Sequence, residues 1–135
     1  MLERGVNTWP VELGDPWAFE RPAYSVVPDW GYTLGPEVSD LCDFLRFTPD
    51  AEQEMIIDSA FGVKDELPAA AEGAGIAGRQ TVKSSGLEMV CLGWMFITRE
   101  PLVLWSAHEF STTLETFLHM QKLIEANRWA ASKVK

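Results

Sequence analysis

The 135-residue sequence predicts an α/β fold: half of a parallel sheet flanked by helices, with an extended N-terminal arm. Three observations lead there. Apolar residues recur at helical spacing in several segments. Two short runs of small or apolar residues, 70–77 and 102–105, fall between those segments and read as buried strands. A basic turn rich in hydroxyls joins the first run to the next helix. The order helix, helix, strand, loop, helix, strand, helix is that of a parallel sheet. Right-handed crossovers would bring Lys83 and His108 to one sheet edge, the edge at which open α/β sheets bind ligands.

Residues 1–34 form the arm. Pro10, Pro16, Pro22 and Pro28 exclude a helix, and Trp9, Trp17 and Trp30 between them suit a segment that packs across another surface. Residues 24–27 read as a short edge strand. The rest, 35–135, is taken as one domain, a size that allows a real core.

The first helix begins within residues 34–37, with Pro36 suited to its first position and Glu37 and Asp40 to its positive N-terminal end. Val38, Leu41, Cys42 and Leu45 form its apolar face. Thr48 and Pro49 read as the cap and first residue of a second helix, with Met55, Ile56, Ser59 and Ala60 on one face and Gly62 as its stop. Residues 62–68 read as a polar loop. The segment 86–97 is apolar nearly all round, so it predicts a helix buried on most sides, broken at Arg99, Glu100 and Pro101. From Glu109 a last helix is expected to about Asn127, with Phe110, Leu114, Phe117, Leu118 and Ile124 on its core stripe. A short basic tail follows.

Composition narrows the function classes. No apolar run approaches the ~18 residues of a membrane span, and the N-terminus lacks the basic-then-apolar signal pattern. Cys42 and Cys91 read as reduced core thiols. The net charge of −9 is uneven: residues 1–75 hold 15 acids and 4 bases, residues 76–135 hold 5 acids and 7 bases. The first reading of this asymmetry is a solvated acidic surface on the first half; the sharper alternative is that anions are handled only by the second half. No segment is basic enough to form a duplex-binding face alone. His108 and His119 lack the spacing of zinc ligands.

The chemistry concentrates at residues 77–85, Ala-Gly-Arg-Gln-Thr-Val-Lys-Ser-Ser. A phosphate loop needs inward backbone N–H groups, a Lys for the β- and γ-phosphates and a Ser or Thr for Mg²⁺. Lys83 and Ser84 meet the last two needs. Ala77 and Val82 stand where the strict pattern has Gly.

Three segments in order, Thr48 to Gln53, Ala77 to Ser85, and Leu102 to Phe110 with Thr112, Glu115 and Phe117, resemble the large terminase subunits of tailed bacteriophages, most of all phages of actinobacteria. The resemblance covers about residues 34–127. It implies the N-terminal portion of a P-loop NTPase domain that uses ATP and Mg²⁺ to drive viral DNA into a capsid in the host cytoplasm. By that resemblance Gln53 lies in the adenine-recognition motif. Gly78, Arg79, Gln80, Thr81, Val82, Lys83, Ser84 and Ser85 form the Walker A loop. Ser84 ligates Mg²⁺ through the nucleotide, and Arg79 is the arginine that approaches the γ-phosphate. The implied partners are DNA, the portal protein, the small terminase subunit and further copies of the chain.

No apolar run ending in Asp-Glu follows Lys83, so Walker B and the nuclease domain are missing from this sequence. The chain is therefore expected to be a piece of a longer protein and, alone, not to hydrolyse ATP or cut DNA. The competing expectation is a small acidic phage protein that keeps the half-sheet as an interaction module and binds no nucleotide.

Overall fold

A computed structural model describes residues 26–76 and 83–134. It shows a helical core with a small antiparallel sheet at its margin. The elements are β1 (Tyr32–Thr33), α1 (Gly35–Phe44), α2 (Ala51–Ala60), β2 (Gly62–Lys64), β3 (Leu67–Pro68), α3 (Lys83–Gly93), a π-helical turn (Trp94–Thr98), α4 (Phe110–Ala126) and α5 (Arg128–Lys133).

The expected face of α1 is the observed one: Val38, Leu41, Cys42 and Leu45 are all buried. The start of α2 differs. Its cap is Asp50, not Thr48. The Asp50 side chain accepts from the Gln53 backbone N–H at 2.9 Å, and the Gln53 side chain accepts from the Asp50 N–H at 2.8 Å. This reciprocal box satisfies two donors, which a Thr48 cap could not, because its third helical position would be Ala51, which has no side-chain acceptor. The buried residues of α2 are Gln53 and Ile57; of the expected face, Met55, Ile56 and Ser59 are partly buried and Ala60 is exposed.

Residues 62–68 form a hairpin rather than a loop. Val63 pairs with Pro68, and Tyr32 of β1 pairs with Val63 on the other side. Asp65 and Glu66 both have left-handed backbone, φ 52° and 63°. That is the conformation of a two-residue turn whose twist suits the flanking strands. It is normally signalled by Asn or Gly, so the charged pair hid it.

The helix α3 is the hub. Met89 and Val90 join Val38, Cys42, Ile57 and Phe61 in one apolar cluster, and Leu92 joins Leu41, Leu45, Ile124 and Ala130 in another. A helix that serves two clusters must be apolar on opposite faces, as its sequence is. The break at Arg99 is real: this residue is left-handed (φ 57°) and its N–H closes the turn on the Trp94 carbonyl.

Neither expected parallel strand is present among the described residues. Residues 70–76 are irregular and exposed, and Ile76 is fully exposed. Small residues with no covering layer have nothing to bury. Residues 102–105 are also irregular, with Leu102 and Leu104 largely exposed. The shared sheet edge for Lys83 and His108 is therefore not formed among the described residues, and His108 is solvent-exposed beside Glu109. Residues 26 and 27 of the expected edge strand are irregular, and 24 and 25 lie outside the described residues.

The α4 helix forms where expected, but its core side does not. Thr116 and Ile124 are buried, whereas Phe110, Leu114, Phe117 and Leu118 are exposed. Residues Arg128–Lys133 of the basic tail are helical. Asn127 caps α5 by accepting from the Trp129 and Ala130 N–H groups at 3.1 and 3.2 Å, and donates to the Phe44 carbonyl. Trp129 then packs edge-on to Phe44 and against Phe96.

Candidate nucleotide site

Two of the residues singled out in sequence meet in space. Gln53 sits in the first turn of α2, and Ser85 in the first turn of α3. The Gln53 Nε2 donates to Ser85 Oγ at 2.7 Å, across 32 residues of sequence. Gln53 is nearly buried, at 8% exposure, so this carboxamide is held from both ends: Oε1 by the Asp50 N–H, Nε2 by Ser85.

Close helix approach makes the contact. A Cβ placed on Gly86 would come to 3.1 Å from Ile56 Cδ1 and 3.8 Å from Gln53 Cγ. An alanine at 86 would press on the Ile56 Cδ1 methyl, which would have to give by a few tenths of an ångström. Gly86 thus acts as the spacer that lets the two N-terminal turns lie together.

Lys83 is the first residue of α3, so the helix begins where the basic turn ends. A helix N-terminus carries unpaired N–H groups and partial positive charge, which favour an anion. Ser84 is exposed and Ser85 half-buried. The Lys83 side chain and residues 77–82, which include Gly78, Arg79, Gln80, Thr81 and Val82, lie outside the described residues.

One polar contact escaped the sequence reading. Glu88, buried on α3 one turn beyond Ser84, faces His119 Nδ1 on α4. His119 also meets the edge of Phe47, with ring centroids 5.1 Å apart. The pair joins the hub helix to α4, and a buried carboxylate needs such a partner. A single Glu inside an apolar helix was the available signal, because a charge there demands a mate on a neighbouring element.

Both thiols are buried and free of disulfide. Desolvation, helped by the nearby Asp43 charge, pushes the Cys42 thiol up to about 12. Desolvation, helped by Glu88, pushes Cys91 up to about 11. These thiols are packing groups, not nucleophiles. Burial also raises the Asp58 carboxyl, which lies against the Gly35 backbone.

Among the described residues, no helix is long and apolar enough to cross a membrane. Comparison of the chain with protein-family models, with curated proteins and with solved structures finds no match.

Proposed function

We propose that this chain carries the adenine- and phosphate-binding segments of a terminase-like, ATP-driven DNA-packaging motor. The observation that supports this most is the Gln53–Ser85 hydrogen bond. Two segments assigned separately, one to adenine and one to phosphate, have adjacent helical first turns. In this reading the nucleotide phosphates lie at the N-terminus of α3, with Lys83 neutralising the β- and γ-phosphates and Ser84 on Mg²⁺. Adenine replaces the present partners of the Gln53 carboxamide, whose oxygen and nitrogen match its N6 donor and N7 acceptor. The chain's own contribution is positioning and charge neutralisation of the triphosphate. The parallel sheet of such a domain is not among the described residues, whose only sheet is antiparallel. The partners of this reading are DNA, the portal protein, the small subunit and further copies of the chain.

The readout is base selectivity. Calorimetric titration should give Mg²⁺–ATP binding at least about tenfold tighter than Mg²⁺–GTP, because the Gln53 carboxamide presents the wrong pattern to guanine. Equal affinity for the two would remove Gln53 from the site.

A second reading is favoured by the open face of α4. Phe110, Leu114, Phe117 and Leu118 lie at i, i+4, i+7 and i+8, and Phe110 is 79% exposed. Exposed apolar stripes of this kind mark interaction surfaces. This is the acidic interaction module, for which no nucleotide binding is expected.

A further inference from the structure

The α4 helix is set with its more apolar face outward. By helical geometry Thr112, Thr113, Thr116, Met120, Leu123 and Ile124 share one side. All six are buried or half-buried, so this is the side that meets the core. Phe110, Leu114, Phe117 and Leu118 share a different arc, about 100° wide. They are 79%, 42%, 59% and 43% exposed. Three threonines facing in and two phenylalanines facing out reverse the order that burial within one chain favours. The outward arc therefore calls for cover of its own.

Three features fit that cover to a second copy of this chain. The first is area. At about 200 Å² for a whole side chain of this size, those exposures leave about 400 Å² uncovered on each copy. That is about half of the roughly 800 Å² that each partner gives to a stable interface. Ser111, Glu115, Gln121 and Lys122 are exposed beside or within the arc and extend the surface. The second feature is self-complementarity. The arc carries no charge before Glu125 at its far end, so two copies of a chain with net charge −9 can meet there without opposing like charges at the centre. The third is the order of charge along the helix. Glu109 and Glu115 belong to its first half, Lys122 to its second, and Arg128 follows. Antiparallel pairing sets the acidic end of each helix beside the basic residues of the other and opposes the two helix dipoles.

We infer that α4 pairs antiparallel with α4 of a second copy through Phe110, Leu114, Phe117 and Leu118, in a two-fold contact that closes on itself as a dimer. This rests on the reading of that face as an interaction surface, names its partner, and needs nothing from the nucleotide site. Salt tells the second copy from a charged partner. Two chains of net charge −9 repel outside the apolar stripe, so screening tightens the dimer, whereas a basic partner would be released.

Sedimentation equilibrium of the full-length chain, from micromolar to near-millimolar concentration, tests it. The mass should rise from 15.1 kDa toward twice that value, and the midpoint should move to lower concentration as salt is raised from about 0.1 M to about 0.5 M. Phe117→Asp and Phe110→Asp should each weaken association by about 100-fold. Leu67→Asp, a change at an exposed apolar position of β3 outside α4, should leave it unaltered. A wild-type chain that stays at 15.1 kDa throughout, a dimer that survives both α4 variants, or one that salt dissociates would overturn the inference. The underlying reading fails by a different sign. At a concentration where the wild type is a single chain, Phe117→Asp should leave the urea midpoint unchanged; a lowered midpoint would mean that the chain's own residues cover this face.

Discussion

Unfolding by urea should become steeply easier between pH 9 and pH 11. Two thiols set this. Burial holds Cys42 up to about 12 and Cys91 up to about 11, against 9.0 in the unfolded chain. A folded-state value above the unfolded one gives stability that is complete below pH 9. Above it, the unfolded chain releases protons that the folded chain keeps, and stability falls with rising pH. Each unit of difference is worth about 1.4 kcal/mol, so the two thiols together withdraw several kcal/mol by pH 11, a large share of a small domain's total of about 5–15 kcal/mol. Replacing both with Ala should lower the urea midpoint at pH 7 through lost packing, yet flatten the decline above pH 9. A decline equally steep in the double variant would show that other groups cause it.

The hub helix should tolerate neither loss nor gain of atoms. Met89 is fully buried among residues from α1 and α2. Met89→Ala removes those contacts and leaves a cavity, at a cost of about 2–5 kcal/mol. Gly93 shows the opposite constraint. A Cβ there would lie 2.8 and 2.9 Å from the two methyl carbons of Val38 and would strike the Phe61 ring. Val38 is stiff and fully buried, so it cannot turn away. Gly93→Ala should therefore cost about 1–3 kcal/mol, although alanine is the better helix former by about 1 kcal/mol. Both values can be read from urea midpoints at pH 7. A stabilised Gly93→Ala would mean that α1 and α3 are less closely packed than described.

Four of the helical segments were legible from boundary chemistry and apolar spacing, whereas α5 was read only as a basic tail and the cap of α2 was placed two residues early. Pro36 starts α1, Arg99 and Pro101 end the hub, and the apolar circumference of α3 announces a helix with neighbours on several sides. The strands were not legible, for a different reason. Runs such as 102–105 are apolar enough for an internal strand, but a strand exists only with a hydrogen-bonded partner, and sequence does not reveal the partner. The hairpin at 62–68 was missed because Asp65 and Glu66 occupy a turn usually marked by Asn-Gly. The face of α4 was misread because its apolar residues cover more of the helix than one neighbour can bury. Phe117 and Ile124, seven residues apart, were placed on one stripe, yet one is 59% exposed and the other buried.

The candidate site divides in the same way. Gln53 and Ser85 were nameable from motif order, and their contact followed only from the packing of α2 on α3 around Gly86. Asp50 was overlooked, although the Asp50–Gln53 spacing is itself a capping signature. The Glu88–His119 pair was out of reach, since 31 residues and two helix faces separate its members.

The central claim is that α3 opens on a triphosphate site. Titration of a fluorescent ATP analogue with Mg²⁺ against the wild-type chain and Lys83→Ala tests it most directly. Saturable wild-type binding that weakens by about 100-fold in Lys83→Ala, with the far-ultraviolet circular dichroism unchanged, is the expected result, since a charge-assisted contact to phosphate is among the stronger single interactions. Equal affinity in the two proteins, or no wild-type binding at millimolar nucleotide, would contradict the claim and leave the acidic interaction module as the reading of this chain.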